Sequence, residues 1–247
     1  MGKQIAAFFD IDGTLYREGL ITELFKKLIK SEIIEEERWY KEVKPHYIKW
    51  DKRQGNYDNY LLKMADIYIE AIKGLHKSQI EYIAKLIIKQ KGDRVYTFTR
   101  DRIRWHKSKG HKIITVSGSP VELVKEMSLK HHFDDYIGTE YLFDDNNIYT
   151  GEVIPMWSSG NKQLAIEKII EKYDIDLSTS YSYGDTSGDF SMMKLVGNPT
   201  VVNPTREILM KILDSKEVSK KINIVVERKD VVYNLKAEDI KFYNYET

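Results

Sequence analysis

Ile5-Ala6-Ala7-Phe8-Phe9-Asp10-Ile11-Asp12-Gly13-Thr14 is the stretch that decides the fold. Five apolar residues, 5–9, stop abruptly at two carboxylates flanking one residue, then at glycine and threonine. So short a run, bounded by turn residues, predicts a strand buried on both faces. Three further runs, 113–116, 181–183 and 200–202, repeat the pattern. They end in Ser117-Gly118-Ser119-Pro120, in Gly184-Asp185-Thr186-Ser187-Gly188-Asp189 and in Asn203-Pro204. Helical patterns separate the runs, which predicts an α/β chain with a parallel sheet and helices on both its faces. In such a sheet the C-terminal strand ends share one edge, where ligands bind. Residues far apart in sequence are therefore expected to meet there.

The gap between the first two runs is too long for a simple crossover. Helical patterns fill it, over 20–30, 57–72 and 78–90, with Gly74 and Gly92 as breaks. The expected division is therefore an α/β core of residues 1–16 and 91–247, with an all-helical insertion at 17–90. Residues 93–110 read as the core helix leading into the second strand. Beyond it, 134–143 and 147–154 read as a hairpin around Asp144-Asp145-Asn146-Asn147, and 161–173 as a helix. The tail holds one strand-like run, 222–226, and a polar, Tyr-rich end.

Composition narrows the function. Among 247 residues, Lys+Arg 39 against Asp+Glu 38 leaves a net charge of +1, so nothing global favours nucleic acid or a membrane surface as partner. A basic stretch at 89–112 is interrupted by Asp93 and Asp101 and reads as a solvated helix face. The 42% hydrophobic and 31% charged content fits a globular chain. Cysteine is absent, which excludes disulfides, thiolate metal sites and cysteine nucleophiles and fits a reducing compartment. There is no apolar signal core, Ala6 stands where a myristoylation motif wants Ser or Thr, and no apolar run is long enough to span a bilayer. A cytoplasmic, soluble protein is expected. His106, His111, His131 and His132 lack metal-ligand spacing and receive no role.

The chemistry lies at the strand ends. Asp10, Asp12, Asp185 and Asp189 would repel one another at a shared edge, and a hard divalent cation such as Mg²⁺ resolves that. Ser119 as N-cap, Pro120 as first helical residue and Glu122 make a capping-box helix start. Ser117 and the Gly118 amide beside it are placed to hold an anion such as phosphate. Lys162 falls near a helix start, where the dipole disfavours a cation, so it is expected to serve a ligand anion or a carboxylate.

Asp10-Ile11-Asp12-Gly13-Thr14-Leu15, then Ser117-Gly118, Lys162 and Gly184-Asp185-Thr186-Ser187-Gly188-Asp189 resemble, in order, the motifs of the haloacid dehalogenase superfamily. The long helical insertion is similar to the cap of its phosphoserine-phosphatase-like branch. The resemblance implies a Rossmann-like core and a phosphatase in which Asp10 forms an aspartyl phosphate and Asp12 is the general acid and base. It implies Mg²⁺ on Asp10, Asp185 and the Asp12 carbonyl, with Asp189 as further ligand or support. Thr14, Ser117, Gly118 and Lys162 would bind the phosphoryl oxygens. A phosphotransferase, or a non-catalytic phosphate-binding or signalling module, is the alternative, and Asp12 argues for turnover over storage.

The implied substrate is a small phosphorylated metabolite, with the cap closing over it. Phosphoserine phosphatases carry a Glu nine residues past the nucleophile to recognise the substrate amine, whereas this chain has Gly19, with Glu18 beside it. That departure argues against phosphoserine itself. Trp39, Tyr40, Tyr47, Trp50, Tyr57 and Tyr60 either pack the cap or cage a cationic headgroup, and packing is the expected role.

Overall fold

The computed structural model describes residues 3–52, 54–55, 57–157 and 159–242. Its strands are β1 (Ala6–Phe9), β2 (Lys112–Pro120), β3 (Asp135–Phe143), β4 (Tyr149–Ile154), β5 (Tyr181–Gly184), β6 (Asn198–Val202), β7 (Asn223–Arg228) and β8 (Val231–Leu235). They form one sheet in the order β4-β3-β2-β1-β5-β6-β7-β8. The strands from β3 to β7 run parallel, and β4 and β8 add antiparallel edges.

Period-two alternation explains why the central strands read as continuous apolar runs. On β1, Ala7 and Phe9 join one apolar cluster, while Ala6 and Phe8 join another on the opposite face. The first cluster continues through α1 (Leu20–Lys30), α4 (Tyr57–Ile72), α5 (Lys77–Lys91), α6 (Thr97–Ser108) and α7 (Val121–His131). The second is closed by α8 (Ser159–Tyr173) and α9 (Phe190–Leu195). The short helices α2 (Glu36–Arg38) and α3 (Lys44–Asp51) flank a π-helical turn at Trp39–Val43, and α10 (Arg206–Asp214) and α11 (Lys216–Lys221) cover β6 and β7.

Helices α1 to α5 all lie between β1 and β2. They share a single apolar cluster with the sheet instead of owning a separate core. Their α4–α5 connection is also sewn to the β3–β4 hairpin. Gly74 N–H donates to Tyr149 O (3.2 Å), Tyr149 N–H to Leu75 O (3.0 Å) and Lys77 N–H to Asn147 O (2.8 Å). Among the aromatics of this insertion, Tyr47 packs against Trp39, Trp50 and Tyr60, and Trp50 stacks on Tyr60 with centroids 6.0 Å apart. Packing is thus their observed role, with Tyr40 exposed. The Tyr57 ring lies outside the described residues.

Three expectations need correction. The capping box at Ser119 does not form, because β2 runs on through Ser117 and Gly118 to Pro120, which pairs with Thr139 of β3 past a register shift. Pairing overrides the turn propensity, and α7 starts at Val121 with Pro120 as its cap. The core helix α6 is shorter than 93–110, since Val95 bridges Tyr16 in an extended segment. The tail adds β8 to the strand expected at 222–226, and its end at 243–247 lies outside the described residues. No helix among the described residues is long and apolar enough to cross a membrane.

The basic stretch is largely the solvated face expected, with Lys89, Arg104, Lys107 and Lys109 exposed, and two of its arginines make defined contacts. Arg94 pairs with Glu18 at 2.7 Å, and Arg102 lies over the Trp105 ring while donating to the Tyr183 hydroxyl. His106 is fully buried, with Nε2 2.9 Å from the Tyr183 hydroxyl and Nδ1 2.9 Å from Nδ1 of His111. Burial, then the Arg102 charge and His111, push the His106 imidazole down to about 3. Unfolded histidine takes up a proton near 6.5, so folding stability is complete above that pH and falls as pH drops towards 3. Urea unfolding should show a loss of at most about 1.4 kcal/mol per pH unit between pH 6 and 4 that His106→Gln flattens.

Candidate active site

Asp10 sits one residue past β1, its N–H bonded to Tyr183 O at 2.9 Å, which aligns the ends of β1 and β5. Phe9 stacks on Tyr183 at 4.4 Å directly beneath. Asp185, past β5, and Asp189, in the turn that follows, complete a buried group whose ligand oxygens lie within 4.8 Å of one another. Gly13, at φ +80°, lets the loop after Asp12 press against this group, because a Cβ there would meet Asp185 Oδ2 at 2.1 Å.

Lys162, near the start of α8, fills the centre. Its Nζ donates to Asp10 Oδ1 at 2.7 Å and to Asp189 Oδ1 at 2.6 Å, and the whole side chain is buried. The second oxygen of Asp189 accepts the N–H groups of Asp185 and Thr186, both at 3.1 Å. Three carboxylates therefore face one ammonium. Burial pushes Asp10 up to about 8 against the pull of Lys162, with Asp189 and Asp12 adding to the rise. Burial, then Asp10 and Asp189, raise Asp185 as well. Burial opposes the charge on Lys162, but Asp10 and Asp189 outweigh it and hold the ammonium protonated. The missing positive charge fits a small hard cation, which Asp10, Asp185 and Asp189 could ligate.

Asp12 is held differently. Its Oδ1 accepts the Leu20 N–H at 2.7 Å, capping α1 where Gly19 offers no side chain, and its Oδ2 accepts the Ser119 hydroxyl at 2.5 Å. Burial raises its pKa while the Ser119 and Leu20 hydrogen bonds oppose the rise. A carboxyl pulled both ways is suited to gaining and losing a proton.

Asp10, Asp12, Gly118 and Lys162 line a cleft of about 320 Å³ between the sheet edge and the helical insertion. Ser117 is buried behind Gly118, its Oγ accepting the Ser119 N–H at 3.2 Å. The Thr14 hydroxyl donates to Asp185 Oδ1 at 2.9 Å, so it orients that carboxylate. Sequence reasoning did not single out the cleft's other wall, which comes from Ile21, Leu61, Leu62 and Ala65 of the insertion with Tyr141 and Trp157 of the core. No spacing signal marks such residues. Neither Glu18 nor Gly19 lines the cleft.

The chain belongs to the haloacid dehalogenase-like hydrolase family, whose sequence profile matches residues 7–194. By fold it is phosphoserine-phosphatase-like. A structure of a phospho-aspartyl intermediate analogue of phosphoserine phosphatase superposes with a TM-score of 0.59 at 21% identity, covering 93% of this chain and 96% of that one. A Bordetella pertussis Tohama I protein of unknown function superposes at 0.68 with 16% identity, covering 86% and 96%. In sequence, an inhibition of morphological differentiation protein of Streptomyces azureus is 25% identical over 82% of this chain and 73% of its own. A probable phosphatase of Mycobacterium tuberculosis is 30% identical over 45% of this chain and 39% of its own.

Proposed function

We propose that the protein is a Mg²⁺-dependent phosphatase that hydrolyses a small phosphomonoester of the cytoplasm through an aspartyl phosphate on Asp10. The observation that carries this reading is the buried contact of Asp10 with Lys162, beside Asp185 and Asp189, opening into a cleft that also exposes Asp12. The chain is divided for this work into a core of residues 1–16 and 91–247 and a cap of residues 17–90.

An Asp10 carboxylate oxygen attacks phosphorus, and the bond from phosphorus to the ester oxygen breaks. Asp12 passes a proton to that departing oxygen. It then takes a proton from water, whose oxygen attacks phosphorus and releases Asp10 and inorganic phosphate. Lys162 balances charge on Asp10 and the phosphoryl oxygens, the Gly118 amide holds those oxygens, and Thr14 fixes Asp185. Ser117, expected to join the Gly118 amide, instead braces the loop from behind through the Ser119 N–H. Asp10, Asp185, Asp189 and the Asp12 carbonyl would hold Mg²⁺, which when bound neutralises charge on the phosphoryl group.

Activity on a panel of phosphomonoesters is expected to vanish in EDTA and return with added Mg²⁺. The ion should also stabilise the fold, by about 2.7 kcal/mol at a hundredfold excess over its Kd, and Asp185→Asn should abolish that gain. Hydrolysis unaffected by chelation would refute the metal assignment.

A further inference from the structure

The cleft is chemically divided. Its floor is ionic, with Asp10, Asp12 and Lys162, but the described cap residues that line it are apolar: Ile21, Leu61, Leu62 and Ala65. Two of the wall's large apolar side chains stay open to water, Leu62 at 42% and Trp157 at 37% exposure. Apolar surface left exposed inside a concave site is covered only when something occupies it.

Trp157 is not there by accident of a loose loop. Its main chain is wedged between the two segments that frame the site. A Cβ on Gly118 would meet Trp157 Cβ at 3.2 Å, and one on Gly188 would meet the Trp157 carbonyl oxygen at 3.0 Å. The two glycines thus let the loop approach until the indole overhangs the site. Among the described residues, the insertion contributes no carboxylate to the cleft. Glu18 is held by Arg94 outside it, and among the described residues the acids lining it are Asp10 and Asp12. Among the described residues, the rim cation Lys211 is paired with Glu207 at 3.3 Å.

Resting on the phosphatase reading, we infer that the substrate is a phosphate ester of an uncharged, apolar alcohol, aliphatic or aromatic, whose carbon skeleton packs against Leu61, Leu62 and Trp157. Burying each methylene of the leaving group strengthens binding in the transition state, and among the described residues the apolar wall supplies no carboxylate to a leaving group that carries an ammonium.

The test compares kcat/KM for methyl, butyl, hexyl and phenyl phosphate with phosphoserine and phosphoethanolamine, all with Mg²⁺. Each added methylene should raise kcat/KM about two- to fourfold, so hexyl phosphate should exceed methyl phosphate by about thirtyfold or more. Hexyl or phenyl phosphate should likewise exceed both amino esters by about tenfold or more. Leu62→Gln, at a half-exposed position, should shrink the hexyl-to-methyl ratio about threefold or more. A flat alkyl series, or an amino ester turned over as fast as hexyl phosphate, overturns the inference and leaves the phosphatase reading standing. Hydrolysis of none of the six overturns both.

Discussion

Asp10→Asn is expected to lower kcat for phosphomonoester hydrolysis by about 10³-fold or more, since the carboxamide keeps the shape but loses the nucleophile. The substitution is isosteric, and Lys162 keeps its contact with Asp189 at 2.6 Å, so the fold should persist. Phosphate release measured beside thermal unfolding separates the two effects. A variant that retains a tenth of the wild-type rate places the nucleophile elsewhere.

The second large effect concerns Lys162, whose ammonium is the positive charge bonded to both Asp10 and Asp189. In Lys162→Met the three carboxylates face one another in a buried space with no counter-charge. Removing one partner from a buried ionic group typically costs about 3–5 kcal/mol, and urea unfolding at pH 7 should read a loss of that size. The sign with pH follows from protonation. Burial raises Asp10 to about 8 and Asp185 as well, so their charge and mutual repulsion grow as pH rises through about 8, and the deficit should widen from pH 7 to pH 9. Added Mg²⁺ should recover part of it at neutral pH. A deficit under about 1 kcal/mol would mean that the three acids are not close in solution.

Much of this site was legible before any coordinates, because each acidic motif follows its own apolar run. Once the runs are strands of one parallel sheet, Asp10, Asp185 and Gly118 must share an edge. Bounds of α1 and α4 were also readable, since their apolar residues recur at helical spacing over three or more turns. What stayed hidden depends on distant partners. Ser119 looks like a helix cap beside Pro120, yet pairing with β3 extends the strand and turns its hydroxyl to Asp12. Asp12 reads as pure chemistry, yet it also caps α1 across a loop. Strand β8 follows a turn in which Lys229 takes φ 53°, with no glycine or asparagine to announce a hairpin. Leu61, Leu62 and Trp157 carry no motif at all, and only the docking of insertion on sheet makes them a wall.

The backbone stitches between the α4–α5 connection and the β3–β4 hairpin bear on how cargo gets in and out. They anchor one part of the insertion to the sheet, while α1 in another is tied through Asp12 to the loop that follows β1. A wholesale swing of the insertion would break both attachments, whereas Leu62, in the cleft wall, stands exposed with both intact. On the phosphatase reading, ester and alcohol would pass by way of the cleft that Leu62 and Trp157 line, without the insertion leaving the sheet.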